Sequence, residues 1–290
     1  MKFGIVGKVI REKDTQIVIR LFEWMEKEGI TFLVENSLIE KIGNGKFSDK
    51  GIDSLELVKK SDMILVLGGD GGILSTAKIV GKEMVPILGV NTGKLGFLAE
   101  IDINELIDNI KILLEKKFHI EKRMILVATT TPDNSNKKIY GLNDIVINKG
   151  SYSRTIILEI FIENKYFNTY TADGVIIATP TGSTAYSLSA GGPILSPDLD
   201  GIIINPICPH SLAERPVVIS ANSAISIKLK SDIDHVDIFS DGQIGFNLKL
   251  GQILEVRKGD YTVNLVHCSK KSFYDILRTK LNWGRRGIET

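Results

Sequence analysis

The sequence predicts an α/β domain followed by an all-β domain, and three observations carry that expectation. Up to about residue 122 short apolar runs alternate with helix-spaced segments; from residue 123 strand-like runs follow one another with few helices between; the closing segment returns to helical spacing. With 290 residues, 43% hydrophobic and 24% charged, the chain is long enough for two ordinary domains, each with its own core.

In order, Phe3–Val6, Ile30–Glu35, Met63–Leu67 and Val85–Val90 read as buried strands, and Thr15–Lys27, Ile52–Lys59, Ile73–Val80 and Ile103–Lys117 as the helices joining them. This alternation predicts a Rossmann-like parallel-sheet domain over residues 1–122. In the last helix Asp102 can serve as cap, Glu105 completes a D-x-x-E box, and Leu106, Ile110, Leu113 and Leu114 form an apolar stripe. Gly43-Asn44-Gly45-Lys46-Phe47-Ser48 lacks the spacing of a nucleotide loop and any directly preceding strand, so it reads as an ordinary connection.

The second part begins with strand candidates Met124–Thr131, Ile139–Lys149, Thr155–Ile162, Lys165–Ala172 and Val175–Thr179. After a Gly/Ser/Pro-rich interruption come Ile202–Pro206, Val217–Ser220, Ala224–Leu229, His235–Ser240, Gln243–Leu248, Ile253–Arg257 and Val263–His267. Strands at this density predict a layered β-sandwich over residues 123–269. Phe273–Leu281 has helical spacing, and the segment 270–290 is expected to pack back on the first domain.

Thirty-six basic against thirty-five acidic residues leave a net charge of +1, which argues against a nucleic-acid groove or an anionic-membrane partner and leaves a small molecule as the expected one. Cys208 and Cys268 stand 60 residues apart with no Cys/His cluster, so neither a disulfide framework nor a zinc site is indicated. The N-terminus shows no apolar leader with a cleavage site, and no run approaches membrane-spanning length. A reducing cytoplasmic compartment is the expected location.

The chemistry begins at Gly68-Gly69-Asp70-Gly71-Gly72, between the apolar run Met63–Leu67 and the helical segment from Ile73. Glycines let backbone approach a ligand, and a helix N-terminus attracts anions. Asp70 is the odd member: a carboxylate repels phosphate by about 4 kcal/mol at 4 Å for an effective dielectric near 20 unless a cation or a hydroxyl lies between them. Chemistry is therefore expected at this turn rather than simple anion binding.

Three further clusters fall between strands, where α/β proteins place ligand contacts. Asn91-Thr92-Gly93-Lys94-Leu95-Gly96-Phe97-Leu98 reads either as a ligand loop or as a turn needing glycine for its geometry. Asn143-Asp144 interrupts an apolar strand pattern, as a site pair, a bulge or a cap would. Asp173-Gly174 leads through a buried strand into Thr179-Pro180-Thr181-Gly182-Ser183-Thr184-Ala185-Tyr186-Ser187, whose hydroxyls can meet a polyhydroxylated, phosphorylated ligand while Tyr186 adds an aromatic face. Ser183 lies outside any G-x-S-x-G pattern, so hydrolase chemistry is a poor fit. His210, between Pro209 and Leu212, has no second imidazole nearby and reads as structural or interfacial.

Taken together and in this order, the Gly-Gly-Asp-Gly turn, the 91–98 run, Asp173-Gly174, the 179–187 motif, Gly191-Gly192-Pro193, Pro209-His210-Ser211-Leu212 and Arg215-Pro216 resemble the NAD kinase family over most of the chain. The turn is shared with phosphofructokinases and with diacylglycerol and sphingosine kinases; the hydroxyl-rich motif is far more specific. The resemblance implies phosphoryl transfer from ATP, or in some members polyphosphate, to the 2′-hydroxyl of the adenosine ribose of NAD. It also implies a divalent cation, Mg²⁺ being the expected one, NAD held between two domains, and a homodimer or homotetramer.

Carried over by position, the resemblance makes Asp70 the proton acceptor and Gly68, Gly69, Gly71 and Gly72 the phosphate turn for ATP. It makes Asp70, Gly71, Asn143, Asp144, Arg154, Thr171, Asp173, Thr184, Ala185, Tyr186, Ser187, Leu188, Ser189 and Gln243 the NAD contacts, with no metal ligand assigned. Family members often carry Glu where Asp144 stands, so its shorter side chain implies a backbone shift or a bridging water. Two rival readings are a lipid or sugar kinase sharing the glycine turn, and a dinucleotide sensor without turnover.

Overall fold

The computed structural model describes residues 1–7, 12–43, 45–93, 96–99, 101–132, 138–268 and 271–283. Asn44, Lys94, Leu95, and residues 269–270 and 284–290 of the closing stretch, all read from the sequence above, lie outside the described residues. By its internal contacts the chain divides into two compact units: Met1–Lys122 with the chain from Val263 onward, and Arg123–Thr262.

Unit 1 runs β1 (Phe3–Gly7), α1 (Glu12–Lys27), β2 (Phe32–Glu35), α2 (Asn36–Ile42), β3 (Gly51–Ile52), α3 (Ser54–Lys60), β4 (Met63–Leu67), α4 (Asp70–Val80), β5 (Ile87–Asn91), β6 (Ile101–Asp102) and α5 (Leu106–Leu114). The strands pair in parallel in the order β3-β2-β1-β4-β5, so the chain builds outward on one side of β1 and then restarts on the other. Such a reversal leaves a crevice beyond the carboxyl ends of β1 and β4, because their crossovers leave in opposite directions. All five residues of β4 are buried, as expected of a central strand covered on both faces.

The core of unit 1 joins Phe3, Ile5, Leu65 and Leu67 of the sheet to Val18, Phe22 and Met25 of α1 and Ile110 and Leu113 of α5. The helix expected over 103–117 is shorter. A 3-10 turn occupies Ile103–Glu105, and Asp102 accepts the Asn104 N–H at 2.9 Å without the expected box. The seven-residue α2 was not anticipated; its Leu38 and Ile42 are buried, too few apolar positions for a periodic signal.

Unit 2 holds β7 (His119–Thr131, entered from unit 1), β8 (Lys138–Gly141), β9 (Asp144–Asn148), β10 (Ile156–Ile162), β11 (Lys165–Ala172), β12 (Gly174–Ala178) and the short α6 (Tyr186–Ser189). β13 (Gly201–Ile207), β14 (Val217–Ser220), β15 (Ile225–Leu229), β16 (His235–Ser240), β17 (Gln243–Lys249) and β18 (Ile253–His267) follow. One antiparallel sheet has the order β14-β13-β12-β9-β16-β17; in the facing layer β11, β10, β15 and the first half of β18 pair in sequence. Ile145, Ile147, Val175 and Ile177 of the first sheet meet Leu158, Ile160, Ile227 and Leu254 of the second in one core.

Two expectations change here. Ile139–Lys149 is not one strand: it breaks at Leu142-Asn143, between β8 and β9. The segments 253–257 and 263–267 form one strand, the fifteen-residue β18, whose end passes into unit 1, where Leu265 pairs with Ile87 of β5. The closing helix α7 (Phe273–Leu281) belongs to unit 1, and its Ser272 and Asp275 form a reciprocal capping box. Among the described residues no helix is long and apolar enough to cross a membrane.

Candidate active site

In unit 1, α4 starts at Asp70, three residues before the expected Ile73, so the carboxylate sits in the first helical turn with Gly69 as cap. Gly68 enters the turn with φ +157°, and its N–H bonds the Val90 carbonyl at 2.9 Å. A side chain at Gly68, Gly69 or Gly71 would project into open space, so backbone alone walls this side of the cavity. Gly72 is more enclosed, a Cβ there lying 3.4 Å from Val66.

The Asp70 carboxylate is fixed by the run that follows β5. Its Oδ2 accepts the Phe97 N–H at 2.8 Å and its Oδ1 the Leu98 N–H at 3.0 Å. A Cβ at Gly96 would lie 1.9 Å from Oδ1, so the glycine is required by the carboxylate rather than by turn geometry. Each oxygen keeps a further lone pair for a ligand. Lys280 of α7 lies 5.5 Å from the centre of the Phe97 ring, which brings the closing helix to the loop that holds Asp70.

Beside this turn lies a cavity of about 380 Å³, lined by Gly7 at the end of β1, Glu35 at the end of β2, the four glycines Gly68, Gly69, Gly71 and Gly72 after β4, and Thr92 after β5, while Asp70 itself is turned to the 96–98 run. It occupies the crevice that the strand order requires.

In unit 2 the break between β8 and β9 is held by Asp241, a residue outside every motif read from the sequence. Asp241 accepts the N–H groups of Leu142 (3.1 Å), Asn143 (2.7 Å) and Asp144 (3.3 Å). It can do so because Asp241 and Gly242, with φ +49° and +75°, form the two-residue turn of the β16–β17 hairpin. Asp144 is 4% exposed; Gln243, at the start of β17, is exposed. Nothing near Asp241 in sequence signals the clamp, since its partners lie almost a hundred residues earlier.

The hydroxyl-rich motif behaves differently from the expectation that its hydroxyls face a ligand. Thr179 Oγ1 donates to the Leu142 carbonyl at 2.6 Å and accepts the Gly182 N–H at 3.0 Å. Thr181 Oγ1 accepts from Arg123 at 3.3 Å, Ser183 Oγ donates to the Pro180 carbonyl at 2.6 Å, and Thr184 Oγ1 donates to the Thr181 carbonyl at 3.3 Å. Ser187 is fully buried; its carbonyl accepts from Asn205 Nδ2 at 2.9 Å, and Asn205 has an unpartnered Oδ1. These groups build a rigid turn, and Gly182 is obligatory in it because a Cβ would lie 2.0 Å from the Asn143 carbonyl oxygen. The surface it presents consists of exposed Tyr186 and Ser189 with half-buried Thr184, Ala185 and Leu188.

Asp173, just before β12, is paired with Lys149 at 2.6 Å, a partner missed in the sequence because lysines are common at strand ends. Arg154 is exposed in the connection before β10, and the Thr171 carbonyl accepts the His210 N–H at 2.9 Å. Unit 2 thus ties Asn143 directly to the turn, its carbonyl accepting the Thr179 N–H at 2.9 Å, while Asp144 follows it in β9, paired with Ala178 of β12.

Comparison with known proteins bears on both units. Residues 3–118 match the ATP-NAD kinase N-terminal domain and residues 142–268 the ATP-NAD kinase C-terminal domain. The chain belongs to the ATP-NAD kinase family. It is 40% identical over 287 residues to an NAD kinase of Citrifermentans bemidjiense, covering 98% of this chain and 99% of that one. An NAD kinase of Thermoanaerobacter pseudethanolicus is 37% identical over 281 residues, 97% of this chain and 98% of that one. Among solved structures, yeast NADH kinase complexed with NADH superposes with a TM-score of 0.88 at 27% identity, covering 100% of this chain and 90% of that chain. An NAD kinase from Archaeoglobus fulgidus in complex with ATP, 23% identical, shares the fold with a TM-score of 0.76 over 97% of this chain and 99% of that one.

Proposed function

We propose that the chain transfers the γ-phosphoryl group of ATP to the 2′-hydroxyl of the adenosine ribose of NAD, forming NADP and ADP. The observation that carries this reading is the Asp70 carboxylate, pinned by two backbone N–H groups within a turn whose Gly68, Gly69 and Gly71 face open space. In the step, the ribose O–H bond breaks as its proton passes to an Asp70 oxygen, the ribose oxygen bonds to the γ-phosphorus, and the bond to the ADP oxygen breaks. Such transfers depend on alignment and charge neutralisation, with a positioned base worth about 10²–10⁴ in rate.

Gly68, Gly69, Gly71 and Gly72 are proposed to hold the donor's phosphates at the start of α4. Asn143, Asp144, Asp173, Gln243 and the surface of the 184–189 segment are proposed as NAD contacts. Ser187 supports that segment from beneath, and Arg154 and Thr171 are peripheral candidates. No cluster of three or more His, Cys, Asp or Glu side chains suited to a metal occurs among the described residues. Mg²⁺ is the proposed cation, since it keeps waters and binds mainly through substrate phosphates with one or two carboxylates, and Asp70 is proposed as the protein carboxylate that would reach it. When bound, the cation neutralises charge on the transferring group.

The cytoplasmic location is a proposal supported by the two cysteines, Cys208 and Cys268, which are not joined in a disulfide. A homodimer or homotetramer is proposed in support of which Leu212 stands 90% exposed, and light scattering tests it.

An assay of NADP formation from NAD, ATP and Mg²⁺ tests the activity and separates it from a sensor or a lipid or sugar kinase. Asp70→Asn is expected to lose at least about two decades of turnover while calorimetry still reports NAD binding. Turnover surviving within a few-fold removes Asp70 as the proton acceptor.

A further inference from the structure

We infer that Glu35 is the anchor for the ribose hydroxyls of the nucleotide donor, at the far end of the cavity from the glycine turn. The inference rests on the proposed kinase reading and names the part of the donor that this reading leaves unplaced.

Glu35 is the last residue of β2 and lines the same cavity as Gly68, Gly69 and Gly71, together with Ser37 and Lys41. It occupies the cap position of α2 with extended φ/ψ, yet its side chain makes no cap hydrogen bond. Glutamate is a poor cap, and a residue that breaks a local rule invites a search for its other use. The carboxylate is instead braced from two sides: Ser54 Oγ donates to Oε1 at 2.6 Å and Ser37 Oγ to Oε2 at 3.0 Å. Each serine uses one lone pair of one oxygen, so both oxygens keep acceptor capacity while the group is held still.

Position supplies the chemistry. In doubly wound sheets an acidic residue at the end of the second strand accepts from vicinal ribose hydroxyls, while phosphates lie on a glycine turn at a helix N-terminus. Here the glycine turn follows β4 rather than β1, and β2 and β4 flank β1 on either side. Two strand spacings, roughly 9.5 Å, therefore separate the acidic end from the phosphate end. That is about the reach from the ribose hydroxyls of a nucleoside triphosphate to its second phosphate. Lys41, in the last turn of α2, lines the same cavity and supplies a cation for the phosphate chain. A carboxylate braced by hydroxyl donors suits a sugar and repels a bare phosphate chain, so the site selects a nucleoside triphosphate over polyphosphate.

The test compares ATP with 2′,3′-dideoxy-ATP, which lacks both hydroxyls, by calorimetry in Mg²⁺ on the intact protein, so it does not depend on turnover. The wild type is expected to bind ATP about tenfold or more tightly than the dideoxy analogue, the scale of hydrogen bonds to a charged acceptor. Glu35→Ala is expected to bring the two donors within about twofold, and Glu35→Gln to retain part of the preference. Melting temperatures of both variants report whether the bracing of Ser37 and Ser54 is structural alone. An unchanged ATP-to-dideoxy ratio in Glu35→Ala, equal binding of both donors by the wild type, or a change confined to NAD affinity overturns the assignment. A wild type that binds ATP with the expected preference but forms no NADP overturns the kinase reading and leaves Glu35 as the ribose anchor.

Discussion

What singles out Asp70 in the sequence is local: an apolar strand, four glycines and a helical run within twenty residues. Its restraint was not legible, since the N–H groups that hold it come from Phe97 and Leu98. This matters for interpreting Asp70→Asn, whose amide turns a donor toward one of those N–H groups and costs a hydrogen bond as well as the proposed base. Gly96 separates the two effects. Its φ is not positive, so alanine is tolerated by the backbone, but the added Cβ would lie 1.9 Å from Asp70 Oδ1. Gly96→Ala is expected to displace the carboxylate with Asp70 still ionisable and to lower kcat by about 10², the order that an ångström of misplacement costs. Circular dichroism of the variant should match the wild type; wild-type kcat would mean that the position of Asp70 is unimportant to turnover.

At the scale of elements, the parallel sheet and the β-layers follow from apolar periodicity, because a buried strand needs apolar residues wherever it runs. What periodicity missed was interruption. Leu142-Asn143 lies within an otherwise continuous apolar pattern, and the β8–β9 break exists because Asp241 draws three consecutive N–H groups out of register. The hydroxyl-rich turn was visible as a motif, but that its Thr179, Thr181 and Ser183 hydroxyls hold the turn itself was not, since hydroxyls near a ligand and hydroxyls holding a turn have the same composition. Asp241→Ala leaves those three donors without their acceptor. The expected cost is about 1–3 kcal/mol of stability, read as a lower urea midpoint at unchanged slope. The KM for NAD is expected to rise several-fold as Asn143 and Asp144 lose their setting, and an unaltered midpoint and KM would show the clamp to be dispensable.

Across the whole molecule, stability as a function of pH carries the signature of buried phenols. Burial of the half-buried Tyr261 ring, with Tyr140, Asp260 and Asp241 around it, pushes its hydroxyl up to about 12. Burial also raises Tyr170, and raises the Glu214 carboxyl near it. A phenol whose folded value exceeds its unfolded one, near 10, leaves the native state holding more protons than the unfolded state between those two values. Its contribution is therefore fully present below about pH 10 and is lost as the pH climbs toward 12. For a group that solvent partly reaches, the loss for Tyr261 amounts to about 1–2 kcal/mol. Lysines titrate over the same range, so the informative quantity is the difference between the wild type and Tyr261→Phe, in which distant titrations cancel. The variant is expected to lose less stability than the wild type between pH 9 and 11 in parallel urea titrations. Curves that stay parallel across that range would place the Tyr261 hydroxyl in ordinary contact with water.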